Sequence, residues 1–437
     1  MAQFRIDTHN YLPQEKTLFE VVMLADQYGN QVGPANPTGM AVDAFGRARM
    51  STPLTLFDSS HRFKDNGLWN TANTSGNSTY SFSASEGLVN LNVTTAANAE
   101  VIRETTRVFS YQPGKSLQIL TTFVMNPSKP NLRQRVGYYG TDNGIFLELD
   151  GSTLSFVQRS NTTGTITETR VNQVDWNMDT LLGNVSSSPS KVTLDITKAQ
   201  ILFIDVEWLG LGTVRCGFVI NGQLIHCHSF HHANLITSTY MTTASLPVRQ
   251  EIKNTGVTAN TSTMKQVCSS VISEGGYELR GTQQAIGTPI TAAKALATAG
   301  TYYPIVSIRL KSTALDAIVI MTALSILGTG NGVNFNWQVV SGATITTASW
   351  TSAGVDSAVE YTTSGTAMTG GRVLATGFMN ASTQSSPTID VLKEALFKFQ
   401  LERNTMANTS TALTLAVSAG TDTSACFGSM DWEEVTR

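Results

Sequence analysis

Asn221-Gly222 separates two alternating runs, VRCGFVI (214–220) and QLIHCHS (223–229). Asn-Gly tolerates both positive φ values of a type I′ turn, so the segment reads as a β-hairpin with a two-residue loop. That loop sets the register: Ile220 is expected opposite Gln223, Phe218 opposite Ile225 and Cys216 opposite Cys227. One face of the ribbon then carries Cys216, Phe218, Ile225 and Cys227, and the other Arg215, His226 and His228. Two unlike faces are what a sandwich sheet requires.

The same texture runs along the chain. GIFLEL-DG-STLSFVQR (144–159) predicts a second hairpin around Asp150-Gly151, with Ile145 facing Phe156 and Leu147 facing Leu154. ILFIDVEW (201–208) puts Ile204, Val206 and Trp208 on one side, and Phe203, Asp205 and Glu207 on the other. Beyond residue 300, strand-like runs recur at 302–310, 317–327, 333–340, 357–363, 372–379, 396–403 and 411–418. In the run at 396–403, Phe397, Phe399 and Leu401 are expected inward and Lys398, Gln400 and Glu402 outward. No amphipathic helix longer than two turns is predicted. The fold class is therefore all-β: two antiparallel β-sandwich or jelly-roll domains preceded by an extended N-terminal arm.

The domain reading follows from length and texture. At 437 residues the chain exceeds one typical core. Residues 1–45 are apolar but broken by Pro13, Pro34 and Pro37, too short to bury themselves. They are read as a docking arm with Phe4, Ile6, Tyr11, Leu12 and Phe19 as interface residues; a strand completing the first sandwich is the competing reading. Residues 46–280 form the first sandwich, 281–300 a linker with few bulky residues, and 301–437 the second sandwich.

Composition narrows the partners. Net charge is -3 and only 14% of residues are charged, so no electrostatic footprint for nucleic acid is present. No stretch approaches the roughly 18 apolar residues of a membrane span. MAQFRIDTHNYLPQ has neither a charged region nor an apolar run, so no secretion signal is expected. Manufacture in the cytoplasm argues against a Cys216–Cys227 bridge, although its geometry is permitted; free buried thiols are expected.

Two constellations could carry chemistry. His226, His228, His231 and His232 lie close together, and His226 and His228 would project from one strand face, as two metal ligands do in cupin-type jelly rolls. The Glu that such a pattern needs after the second His is missing, and hydrogen-bonded surface or interface histidines are expected instead. Asp205 and Glu207 share a strand face, and a retaining glycosidase needs two carboxyls about 5–5.5 Å apart. Laminarinase-like sandwiches use Glu-x-Asp-x-x-Glu, but here Phe203 and Trp208 stand where glutamates would be needed, so solubilising charges are the reading. No nucleophile elbow, phosphate loop or dinucleotide fingerprint occurs. Trp69, Tyr138, Tyr139, Trp176 and Trp350 are scattered singly. No cofactor and no metal is expected.

Three stretches together carry a resemblance: VDAFGRARMSTPLTLFDSSHRF (42–63), WLGLGTVRCGFVINGQLIHCHSFHHAN (208–234) and LFKFQLERN…FGSMDWEEV (396–435). They resemble virion structural proteins of tailed bacteriophages, and the middle stretch also resembles concanavalin/laminin-G-like sandwiches. The resemblance implies a non-enzymatic component of the head, neck, tail or fibre, assembled in the host cytoplasm and attached through its arm to other virion proteins. It also implies self-association, commonly as a trimer. It assigns no functional residue, and the calcium ligands of the lectins are not recognisable. A carbohydrate-binding adhesin for host-surface glycan is the alternative, and a polysaccharide depolymerase the third reading.

Overall fold

The structure is a computed structural model that describes residues 52–65, 67–74, 77–278, 280–381, 388–390 and 399–436. The proposed arm contacts Phe4, Ile6, Tyr11, Leu12 and Phe19 lie outside the described residues. Pro53–Arg437 forms one compact unit. It is all-β, with antiparallel sheets stacked as two sandwiches.

The first sandwich stacks an eight-stranded sheet on a seven-stranded one. The eight-stranded sheet runs Gln223–Phe230, Val214–Ile220, Gln200–Val206, Leu117–Val124, Ser262–Ser273, Leu88–Val93, Thr79–Ser83, with Leu54–Ser60 also on Ser262–Ser273. The seven-stranded sheet runs Thr167–Asn172, Thr153–Ser160, Gly144–Asp150, Leu132–Tyr139, Val248–Asn254, Glu100–Thr105, Trp69–Thr74. Period-2 patterning explains the layers. Along Leu117–Val124 every second residue (Leu117, Ile119, Thr121, Phe123) is buried. The polar member is satisfied there: Thr121 Oγ1 lies 3.0 Å from Ser269 Oγ and accepts from Gln250 Nε2 at 3.1 Å.

Both hairpins form, each with a correction. Asn221 (φ 54°) and Gly222 (φ 74°) make the expected turn, and Ile220 faces Gln223 and Phe218 faces Ile225. A β-bulge between Cys216 and Gly217 then sets Cys216 opposite His228 rather than Cys227. The cause is close approach. A Cβ on residue 217 would stand 2.0 Å from the Ile225 carbonyl oxygen and 2.6 Å from the Phe203 ring. The Cys227 carbonyl, freed from the ladder, accepts the amides of Met178 at 3.0 Å and Asp179 at 3.1 Å. Both thiols are free and buried.

In the other hairpin, Gly151 (φ 58°) opens the loop instead of closing it, as in a type II′ turn. Asp150 therefore pairs with Thr153, Leu147 with Phe156 and Ile145 with Gln158. Every partner moves by two residues, which leaves the faces unchanged.

The second sandwich stacks a five-stranded sheet on a six-stranded one. The segment read as a linker, 281–300, is instead part of it: Thr282–Gly287 and Lys294–Leu296 both pair with the long C-terminal strand Ser424–Thr436. Small side chains suit strands that lie flat at a sheet edge. The run at 396–403 is also corrected. Among its described residues, Phe399 and Leu401 are buried as expected, but so are Gln400 and Glu402, and pairing consists of an isolated bridge between Gln400 and Ile320 and the start of a two-residue strand at Arg403, opposite Ser410.

This segment lies where the two sandwiches meet, which accounts for its buried polar residues. Gln400 Nε2 donates to the Val108 carbonyl at 3.1 Å, and Arg403 Nη1 donates to Glu104 at 3.2 Å and to the Thr105 carbonyl at 2.8 Å. Arg107 Nη2 donates to Glu402 at 3.2 Å, and Val108, Ile318 and Ile320 form a small apolar seam.

Candidate functional site

The candidate site lies at one end of the eight-stranded sheet, on the face turned away from the core. A depression of about 300 Å³ is lined by Tyr111, Lys115, Ser116, Asp205, Glu207, Thr213, Arg215 and Glu274, among others. Four neighbouring strands build it. In Gln200–Val206, Ile204 and Val206 point into the core, so period 2 turns Asp205 outward. Asp205 stands opposite Arg215 on one side and Gln118 on the other. Glu207 follows the strand end, its amide bonded to the Thr213 carbonyl at 3.2 Å. Glu274 follows the end of Ser262–Ser273: its amide donates to the Ser116 carbonyl at 3.0 Å, and its carboxylate accepts from the Ser116 hydroxyl.

The electrostatics are uneven. Asp205 is 20% exposed, and its ion pair is a loose one, 3.8 Å to Arg215, whose side chain is 61% exposed. Burial pushes the Asp205 carboxyl up to about 6, the nearby Glu274 and Glu207 charges add to that, and Arg215 only partly opposes them. Near neutrality this group exists in both protonation states, so it can accept a hydrogen bond or donate a proton. Arg215 and Lys115 supply donors and Glu207 and Glu274 acceptors, while Tyr111 is a buried core ring packed edge-on to Trp208. Such a set matches the alternating donors and acceptors of a polyhydroxylated ligand.

Asp205 and Glu207, chosen from the sequence, are thus brought together at one depression. Glu274, Ser116 and Tyr111 join them only through strand pairing across more than 60 residues, and nothing in the local sequence around Glu274 signals it.

The histidines go elsewhere. With Cys216 opposite it, His228 turns inward and is buried; its ring lies nearly parallel to Phe156 at 6.5 Å and edge-on to Phe230 at 4.5 Å. Burial, helped by His226 and His231, holds it down to about 4. His226 Nε2 sits 2.9 Å from Ser229 Oγ, so the pair expected on one strand face is split by the bulge. His232 is also buried, stacked on Tyr240 at 3.9 Å, with Nε2 2.7 Å from Gln158 Oε1. Hydrogen-bonded surface or interface histidines were expected; two of the four, His228 and His232, are buried within the fold. Among the described residues no group of three His, Cys, Asp or Glu could hold a metal ion.

No family model matches the chain, and no curated protein matches it. Among solved structures, a Bacillus licheniformis β-glucanase matches at TM-score 0.33 and 12% identity, over 49% of this chain and 96% of that one. The carbohydrate recognition domain of Emp47p matches at 0.31 and 10%, over 53% and 99%. The CBM2 module of the evolved Dit of Lactobacillus casei BL23 phage J-1 matches at 0.33 and 6%, over 53% and 100%. The likeness concerns the sandwich fold. It corrects one expectation: a chain without catalytic activity was expected, whereas the solved structures it is similar to include glucanases and a phage carbohydrate esterase.

Proposed function

We propose that the protein is a glycan-recognising component of a tailed-phage particle, with the depression around Asp205 as the sugar site of the first sandwich. The observation that carries this reading is the mixed set of three carboxyls and two cations around one open depression on the outer face of the sheet. Carboxylates accept paired hydroxyls, and the cations donate to ring and glycosidic oxygens. The virion role is supported by the resemblance of three stretches of the chain and by the polar seam that joins the sandwiches into one stiff body. In this reading the arm attaches to other virion proteins and the sandwiches face outward.

A second reading, hydrolysis of the bound glycan, is favoured by one specific feature. Asp205 carries a carboxyl raised by burial and by the neighbouring Glu274 and Glu207, and a raised carboxyl is what proton donation to a leaving group requires.

An array of bacterial surface polysaccharides probed with the whole chain tests the proposal. Saturable binding to at least one polysaccharide, weakened about tenfold or more by Asp205→Asn or Arg215→Ala, is expected. Binding to none of them, or binding indifferent to both substitutions, contradicts it. Release of reducing ends by the wild-type chain, abolished in Asp205→Asn, selects the second reading.

A further inference from the structure

The second sandwich carries a depression of its own, unrelated to the acidic site. It has about 360 Å³ of space and lies on the outer face of the six-stranded sheet. Its construction can be followed strand by strand. Thr351–Ser352 is the edge strand, and Trp350 immediately precedes it. Ser352 pairs with Glu360, Glu360 with Arg309, and in the next strand Leu413, which Ala412 immediately precedes, faces Ile308. The Gly342 amide donates to the Ala412 carbonyl at 2.9 Å, which closes the row. Small residues therefore floor a trough between the bulky pair Trp350 and Arg309 and the polar rim of Ser410 and Thr411.

The bulky pair is pre-arranged. The Arg309 guanidinium lies 4.0 Å from the Trp350 ring centroid, and its Nε donates to Glu360 Oε1 at 2.6 Å. A guanidinium held by a carboxylate on one side and over an indole on the other is fixed without a ligand, so little ordering cost remains for binding. Trp350 is only half-buried. The Trp350 indole, the Arg309 guanidinium beside it and the hydroxyls of Ser410 and Thr411 across the trough form an amphipathic wall. That wall fits a ligand with an apolar ring face and a hydroxylated rim.

We infer that this trough is a second glycan site, in which a pyranose ring packs against Trp350 and its hydroxyls are taken by Arg309 and the rim of Ser410 and Thr411. The inference stands apart from the Asp205 depression: it uses other residues on the other sandwich, and it holds or fails whether or not the first site binds.

Oligosaccharides released from bacterial surface polysaccharides, together with β-glucan hexasaccharides, are the probes. Saturation-transfer NMR and tryptophan fluorescence are recorded on the whole chain. The expected result is a saturable change with at least one probe, lost about tenfold or more in Trp350→Ala and in Arg309→Ala and retained in Asp205→Asn. Trp350→Phe, which keeps an aromatic wall, serves as the folded control and is expected to bind at intermediate strength. Two results overturn the assignment: no probe giving saturation transfer with the wild-type chain, or Trp350→Ala, shown folded by its thermal transition, binding every probe as the wild type does. Loss in Asp205→Asn with no change in Trp350→Ala assigns all binding to the first depression and likewise overturns it.

Discussion

The two sheets of the first sandwich turn very different outer faces to the surroundings. On the seven-stranded sheet the outward positions hold acids and bases in register, and the charges are matched. Glu148 accepts from Arg135 at 2.6 Å and from Arg170 at 2.7 Å, Arg159 reaches Glu168 at 2.7 Å, and Arg133 reaches Glu251 at 3.0 Å. Three apolar residues, Tyr139, Phe146 and Val157, sit fully buried among them, because the guanidiniums of Arg135, Arg159 and Arg249 lie across the rings at 5.0–5.6 Å.

On the eight-stranded sheet Asp205 has one loose partner. The pKa directions record the contrast. Burial pushes Glu251 up, yet Arg135, Arg133 and Arg249 together outweigh it and hold the carboxyl below its usual range. Burial pushes Asp205 up, and its neighbours add to the push. A buried acid matched by cations belongs to the architecture; a buried acid left wanting marks a face built for something else.

The matched face breaks most easily at its centre. Glu148→Ala removes the shortest ion pair of Arg135, a side chain only 5% exposed, and one of Arg170, while Glu168 at 3.5 Å and Glu251 at 3.7 Å still face the Arg135 guanidinium. Losing these charged hydrogen bonds is expected to cost about 2–3 kcal/mol, read as a lower urea midpoint at unchanged slope.

A smaller loss is expected on the other sheet. Gly217→Ala would drive a methyl into the Phe203 ring and the Ile225 carbonyl, at about 1–3 kcal/mol. Loss of stability together with the normal near-ultraviolet signature of the core would place the damage at the bulge.

The least expected outcome is a gain. The Asp205 carboxyl is raised in the fold, so between the ordinary carboxylate range and about 6 the folded state holds a proton that the unfolded chain has released. Stability attributable to this group is present in acid and is lost as pH rises through that window. Asp205→Asn should therefore raise stability by about 1–2 kcal/mol near pH 8 and change little near pH 4, as measured by paired thermal melts. Loss of stability at high pH would show that the acid is compensated after all.

How much of this was legible follows the reach of each interaction. Asn221-Gly222 could be read because a type I′ turn is decided by two adjacent residues. The bulge at Gly217 could not, since it depends on Phe203 in the neighbouring strand and on Met178 and Asp179 in a distant loop. Strand alternation placed Asp205 and Glu207 on one outward face without locating Glu274, which arrives through a strand that begins at Ser262. Arg133 and Arg135 lie two residues apart and so share one face of their strand. Their partners Glu251 and Glu148 are cross-strand neighbours, and only the sheet order discloses them. The run 281–300 read as a linker because its side chains are small; its strand character comes from the long C-terminal strand that it pairs with.

Direct titration of the Asp205 carboxyl by carbon-13 NMR in the whole chain tests the contrast between the two faces most simply. The account predicts a midpoint near 6 that falls toward the ordinary range in Glu274→Gln, because one of the neighbouring negative charges has been removed. A midpoint at the usual aspartate value of about 4, unmoved by that substitution, would contradict it.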